Sequence, residues 1–293
     1  MDLTTKYLGF TLKNPFIVSA SPLSSDIKNF KKMEDAGAAA VVLYSLFEEQ
    51  LILEQRELYY HTTQHNEISP EASSYFPEPS EYKLGPEEYL EHIAKAKKEV
   101  SIPVIASLNA MYPDTWVEYA KEIEQTGVDG IELNFYTTPK NFEVEGKTII
   151  QSQVDTLKSV LEKVTIPVSV KLSPFYTNPL DVIRRFDETG IQGFVLFNRF
   201  FEPDIDIEKE ELVQTITLSN EDDLRLPLRF TGLLYGNIVA DICSSTGIMT
   251  GADAVKMLLA GATTFQVTST IYANGIEQIT KILGEIEAWM HRK

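Results

Sequence analysis

The sequence is poor in several things that would each have pointed elsewhere. It has one cysteine, Cys243, so an internal disulfide and a Cys-rich metal site are both excluded. No apolar run approaches the roughly 20 residues that span a bilayer. The opening Met1-Asp2-Leu3-Thr4-Thr5-Lys6 lacks the basic segment and apolar stretch of a secretory signal. A cytoplasmic protein is expected on these grounds. Positive charge is scarce, with 26 Lys and Arg against 43 Asp and Glu and a net charge of −17. Such a surface repels nucleic acid and anionic membranes, so neither is expected as a partner. An anionic ligand would need a local cationic pocket in this acidic field.

What is present is a regular alternation. Short β-rich runs occur at Phe16–Ala20, Ala39–Tyr44, Val104–Leu108, Gly130–Phe135, Pro167–Leu172, Gly193–Phe197, Ala240–Ser244 and Thr264–Thr268. Amphipathic helical patterns fall between most of them, at Ser25–Ala36, Pro86–Val100, Pro113–Thr126, Ile149–Val164, Pro179–Thr189 and Gly251–Leu259, and Asn274–Trp289 reads as a closing helix. Glycine ends several of these helices, as in Thr126-Gly127 and Thr189-Gly190, where it supplies a left-handed C-cap. Eight β/α alternations predict an α/β protein built as a single (β/α)8 TIM barrel, one domain over residues 1–293. Tyr7–Leu12 reads as an N-terminal β-hairpin capping the barrel bottom. Long loops after strands two (Leu46–Gly85) and six (Arg199–Gly236) overhang the end where barrel active sites lie, and are expected to wall the site.

Several strand ends carry candidate chemistry. Val168-Ser169-Val170-Lys171-Leu172 ends an apolar strand in a lysine, which should point into the barrel mouth. A buried ammonium needs an anionic neighbour. Reduced flavin supplies one near N1 and O2, where a fixed cation favours reduction; Glu132 on the adjacent strand supplies another, and the two are compatible. Glu132 and Asn134 share a parity and should both face inward. Asn134, Asn198 and Arg199 end their strands with amides and a cation. Ser244-Ser245-Thr246-Gly247-Ile248 and Thr268-Ser269-Thr270 follow the last two strands, where barrel phosphate sites form.

These pieces carry a family resemblance. Lys13-Asn14-Pro15-Phe16 with Ser19-Ala20-Ser21, Glu132-Leu133-Asn134, Val170-Lys171-Leu172-Ser173-Pro174, and Thr246-Gly247-Ile248 through Gly251-Ala252-Asp253-Ala254 to Leu259-Ala260-Gly261-Ala262 run in order along nearly the whole chain. Together they resemble the dihydroorotate dehydrogenase family, above all its dihydroorotate dehydrogenase-like branch. The resemblance implies FMN as cofactor, with Ala20 and Ser21 near the ring. Ser45, Asn134, Lys171 and Asn198 would surround flavin and substrate, with Arg199 beside them, and Ser245, Thr246, Gly247, Thr268 and Ser269 would hold the phosphate. It implies oxidation of dihydroorotate, or a related small substrate, by hydride transfer from C6 to flavin N5 as a base removes the C5 proton. Thr137 stands at the position of that base; none of His61, His65, His92 and His291 is placed to assist it. A homodimer is also implied, while the electron acceptor stays open.

The chain departs from the family pattern in places. It has Tyr136-Thr137-Thr138-Pro139-Lys140 where the family has Cys or Ser followed by Pro-Asn, and Tyr44 where a lysine is usual. Ser245-Thr246-Gly247 replaces a glycine pair. From the residues alone two other functions stay open. One is a non-redox lyase or Schiff-base aldolase using Lys171 on a phosphorylated substrate. The other is a non-catalytic flavin-binding subunit.

Overall fold

The computed structural model describes residues 1–48, 86–110, 112–135, 142–199, 204–213 and 218–293. Two short strands, β1 (Thr5–Tyr7) and β2 (Phe10–Leu12), form the N-terminal antiparallel hairpin. Eight parallel strands then close into a barrel. In chain order they are β3 (Phe16–Val18), β4 (Ala40–Phe47), β5 (Val104–Asn109), β6 (Gly130–Phe135), β7 (Val168–Leu172), β8 (Gly193–Leu196), β11 (Asp241–Ser245) and β12 (Thr264–Val267). β12 pairs with β3 to complete the ring. The outer layer holds α1 (Ile27–Asp35), α2 (Glu87–Glu99), α3 (Pro113–Gln125), α4 (Gly146–Leu161), α5 (Pro179–Asp187), α6 (Arg225–Leu234), α7 (Gly251–Ala260), α8 (Ser269–Asn274) and α9 (Gln278–His291). The predicted barrel and N-terminal hairpin are thus both present.

Local chemistry explains most helix boundaries. Asp26 caps α1 by accepting from the Lys28 N–H at 3.0 Å. α3 and α5 each begin at a proline, whose missing N–H costs nothing in the first turn. In α3, Trp116, Ala120 and Ile123 lie four and three residues apart and form the face buried on the barrel. Thr250 and Asp253 close a reciprocal capping box at the start of α7, and Gly261 ends it at φ +113.

Side chains pointing outward from the strands pack against the helices in one large core. Inside the barrel lies a second, smaller core of Ile17, Ala40, Val42, Ile105, Val195 and Cys243. The hairpin fills its lower end with Tyr7 and Leu8, both buried. The Leu8 N–H donates to Asp241 Oδ2 at 2.8 Å, and a Cβ at Gly193 would lie 2.7 Å from Leu8 Cδ2. Glycine is needed there so that the plug can seat against the wall.

Two parts of the chain differ from the sequence reading. The connection after β8 contains an exposed hairpin, β9 (Asp204–Asp206) with β10 (Glu211–Val213), and then the helix α6. It is therefore a decorated β/α unit. The closing segment divides into short α8 and longer α9, with Gly275 at φ +87 between them. Most of the long loop expected after the second barrel strand, Leu46–Gly85, lies outside the described residues.

Candidate functional site

Inward-facing side chains change character along the barrel axis. Ile17, Ile105 and Val195 belong to the apolar interior, and polar Asn109, Asn134 and Ser245 stand at or next to the C-terminal ends of their strands. Asn134 pairs in register with Lys171 across β6 and β7, and Glu132 pairs with Ser169 one step below. Glu132 is fully buried, and Lys171 is 6% exposed. The parity read from the sequence therefore holds.

Lys171 has a definite set of partners. Its Nζ donates to Ser19 Oγ at 2.9 Å and to Gln266 Oε1 at 3.4 Å. Glu132 Oε1 lies 3.7 Å from the same nitrogen. Ser19 Oγ donates to Gln266 Oε1 at 3.0 Å, and Gln266 Nε2 donates to Glu132 Oε2 at 2.6 Å. The ammonium is thus charge-compensated within the barrel and hydrogen-bonded, as burial demands. Ser19 was quoted from the sequence only as part of a motif, and Gln266 was missed. The available signal was the alternation of Thr264 and Gln266 in an otherwise apolar strand.

Lys171 opens onto a cleft at the barrel mouth. Its walls are Ala20, Asn198 and Arg199, the turn Ser245–Gly247, and Thr268 with Ser269. Cation and small-residue turn therefore meet in one cleft. Asn134 joins it indirectly, since Asn198 Nδ2 donates to Asn134 Oδ1 at 2.8 Å. Ser21 and Ser45 are not among the residues lining this cleft. Ser45 Oγ shares a 2.7 Å hydrogen bond with Ser107 Oγ one strand over. Thr137 lies outside the described residues.

The turn after β11 is unusual in its backbone. Thr246 and Gly247 both adopt positive φ, +79 and +77. Thr246 Oγ1 is tied down, donating to the Phe197 carbonyl at 2.9 Å. The N–H groups of Gly247 and Ile248 meet no acceptor among the described residues. On its other side Gly247 packs tightly, for a Cβ there would lie 2.3 Å from the Leu224 backbone nitrogen. Side-chain hydroxyls contribute little, because Thr268 Oγ1 donates to the Ser19 carbonyl at 3.3 Å and Ser269 Oγ accepts from both Ser219 N and Oγ. The α7 N-terminus is also occupied, by its own capping box and by Glu285 Oε2, 2.6 Å from the Gly251 N–H. Any anion held here would meet backbone donors of the turn. That open turn, with a cation sharing its cleft, suits a phosphate-bearing, ring-containing cofactor such as FMN.

Two residues singled out in the sequence are held in ways it did not disclose. Arg199 forms an ion pair with Asp223, and Asp223 Oδ2 also accepts from the Asn220 N–H at 2.9 Å. Its guanidinium is thereby fixed at the rim. Tyr44 turns outward, stacking edge-on against Tyr89 at 5.2 Å and lying beside His92 on α2. Burial, chiefly, raises its phenol pKa. A register shift between Val42 and Ser45 accompanies this change of face.

An eight-stranded parallel barrel with a polar cleft at its mouth is a (β/α)8 barrel, and the cleft lies at the end where such barrels carry their active sites. The family model for dihydroorotate dehydrogenase matches residues 82–290. A dihydroorotate dehydrogenase B (NAD(+)) catalytic subunit from Methanocaldococcus jannaschii is 30% identical over 215 residues, covering 70% of this chain and 69% of its own. The protein of the same description from Thermoplasma acidophilum is 25% identical over 293 residues, covering 99% and 94%. That from Thermoplasma volcanium is 27% identical over 278 residues, covering 94% and 88%. The chain belongs to the dihydroorotate dehydrogenase family, a family of flavin-dependent oxidoreductases. No helix among the described residues is long and apolar enough to cross a membrane.

Proposed function

We propose that the protein is an FMN-dependent dehydrogenase that oxidises dihydroorotate, or a close relative of it, to the corresponding unsaturated ring. The observation that carries this reading is the shared cleft of Lys171 and the Ser245–Gly247 turn, in a chain of this family. Bound FMN supplies the hydride acceptor. The protein's residues do the rest.

Lys171 presents a fixed positive charge to the ring edge that becomes electron-rich on reduction. The Gly247 and Ile248 N–H groups bind phosphate, with Ser245, Thr246, Thr268 and Ser269 shaping the cradle and Ala20 and Ser21 flanking the ring. Asn134 and Asn198, locked to each other, offer their remaining amide atoms to the substrate, and Arg199 attracts its carboxylate from the rim. Ser45 orders the neighbouring strand ends through Ser107. Thr137 takes the C5 proton. The three relatives named above are catalytic subunits in an NAD(+)-linked enzyme, which favours a separate electron-transfer partner for this chain too. A homodimer in the cytoplasm completes the proposal.

A Schiff-base lyase is the weaker reading. It needs the Lys171 nitrogen free to attack a carbonyl, whereas that nitrogen is engaged by Ser19 and Gln266. The deciding experiment is a visible spectrum and mass analysis of the cofactor released from purified protein, followed by anaerobic addition of dihydroorotate. FMN that bleaches on addition is the expected result. Colourless protein, trapped by borohydride at Lys171, would overturn the reading.

A further inference from the structure

Glu132 and Lys171 are opposite charges on neighbouring strands, both buried, and yet they do not touch. Their closest atoms are 3.7 Å apart, where a charge-assisted hydrogen bond brings nitrogen and oxygen to about 2.7–2.9 Å. Glu132 Oε1, the oxygen nearest Lys171, accepts no hydrogen bond among the described residues. The flexible four-carbon stem of lysine could close such a gap, and in a low-dielectric interior the attraction favours closing it.

The Gln266 amide bridges the pair from the side, holding each charge by one of its ends. Its Nε2 donates to Glu132 Oε2 at 2.6 Å, and its Oε1 faces Lys171 Nζ at 3.4 Å and Ser19 Oγ at 3.0 Å. An amide is suited to this place because one end donates and the other accepts. The donor end satisfies the carboxylate; the acceptor end engages the ammonium and Ser19. Gln266 and Lys171 both line the mouth cleft, so the ammonium is held at the open side of the pair.

We propose that Gln266 is a positioning residue, a spacer that keeps the Lys171 ammonium turned to the cleft instead of collapsed onto Glu132. Gln266 and Glu132 together then set how much of the lysine charge a ligand at the mouth experiences. This rests on reading the cleft as a flavin site. Without the spacer, Lys171 withdraws into a contact ion pair and the reduced, more negative flavin loses stabilisation.

The test is a double-mutant cycle of Gln266→Leu and Glu132→Gln in the full chain, read by crystal structures and by flavin midpoint potentials. In Q266L the Lys171–Glu132 separation shortens to direct contact. The preference of the protein for reduced over oxidised flavin falls about tenfold, which is about 30 mV for a two-electron couple. In the E132Q background no carboxylate remains to close upon, so adding Q266L shifts the potential no further. A purely structural glutamine would shift both backgrounds alike, and that result overturns the proposal. So does Q266L with Lys171 and the potential both unmoved. Gln266→Met, closer in length, serves with the same outcomes where Q266L does not fold. Wild-type protein that takes up no flavin defeats the functional reading alone, because the Lys171–Glu132 distance in the flavin-free variants still tests the spacer.

Discussion

The Asn198 side-chain amide donates to Asn134 Oδ1 at 2.8 Å, joining residues on either side of the strand that carries Lys171. The hydrogen bond arches over β7 and braces the mouth of the barrel. It also fixes the remaining amide atoms of both residues. Replacing Asn198 with Ala leaves a buried acceptor unpaired, a loss of about 1–3 kcal/mol. We expect KM for the oxidisable substrate to rise tenfold or more while flavin affinity changes little. Steady-state kinetics beside a flavin titration measure both, and equal losses in the two would contradict the assignment of this pair to substrate.

Lys171→Ala removes the cation from the cleft and leaves the Glu132 carboxylate uncompensated. Breaking a buried pair by deleting one partner costs about 3–5 kcal/mol. The expected outcome is flavin reduction slowed at least about 100-fold in stopped flow, on the scale of about 1.4 kcal/mol per tenfold, together with a clear fall in melting temperature. Adding Glu132→Gln should recover stability but not the reduction rate. Recovery of the rate would mean that the lysine acts only in folding.

Gly247 sits at φ +77 with the Leu224 backbone directly behind it. Gly247→Val adds both a disfavoured backbone conformation, about 1–2 kcal/mol, and a collision with main chain that cannot swing aside. Purified G247V should emerge with substoichiometric flavin and a lower melting temperature. A full complement of flavin in this variant would show that the turn does not hold the phosphate.

Acid stability should depend on Glu34, far from the mouth. Burial would raise its carboxyl pKa, but hydrogen bonds from Ser101, joined by Lys31, outweigh that and hold it down at about 2. Its Oε1 accepts from the Ser101 N–H at 2.9 Å and from the Ser101 hydroxyl at 2.5 Å, tying α1 to the turn before β5. A carboxyl lowered on folding contributes stability that is fully present above its unfolded pKa, near 4.5. That contribution is lost as pH falls from there through the folded value near 2. Glu34→Gln should therefore cost on the order of 1 kcal/mol at pH 7 after solvent screening, and that cost should shrink steadily as pH falls from 4.5 toward 2. Urea denaturation across that range gives the answer; a penalty that does not shrink in acid would refute it.

Cys243 lies at the centre of the barrel with no exposed surface. Burial, above all, pushes its thiol pKa up to about 12. Because the thiolate is the reactive form, iodoacetamide at pH 8 should label the folded protein far more slowly than a free thiol. The labelling rate should track unfolding as denaturant is added. Fast labelling in the native state would show that the hairpin end of the barrel opens.

Much of this was legible beforehand because it rests on local pattern. The apolar strand runs, the glycines that end α3 and α5 in the left-handed region, and the shared parity of Glu132 and Asn134 depend on nearest neighbours and a period of two. The helix α6 was obscured by Pro227 and Gly232 within ten residues. Pro227 is tolerated there because the first turn needs no intrahelical N–H. The outward turn of Tyr44 was not legible, because an irregular register between β4 and β5 breaks the alternation. Gln266 acquires its meaning from Glu132, 134 positions earlier, and Arg199 from Asp223. Closure of the barrel creates such pairings, and strand-by-strand patterns do not contain them.

The Tyr7–Leu8 plug has a consequence for traffic. Among the described residues the hairpin closes one end of the barrel and the polar cleft lies at the other, so a ligand that reaches Lys171 arrives from the side opposite the N-terminus. The N-terminal strands thereby give the barrel its polarity, with one end for packing and the other for chemistry.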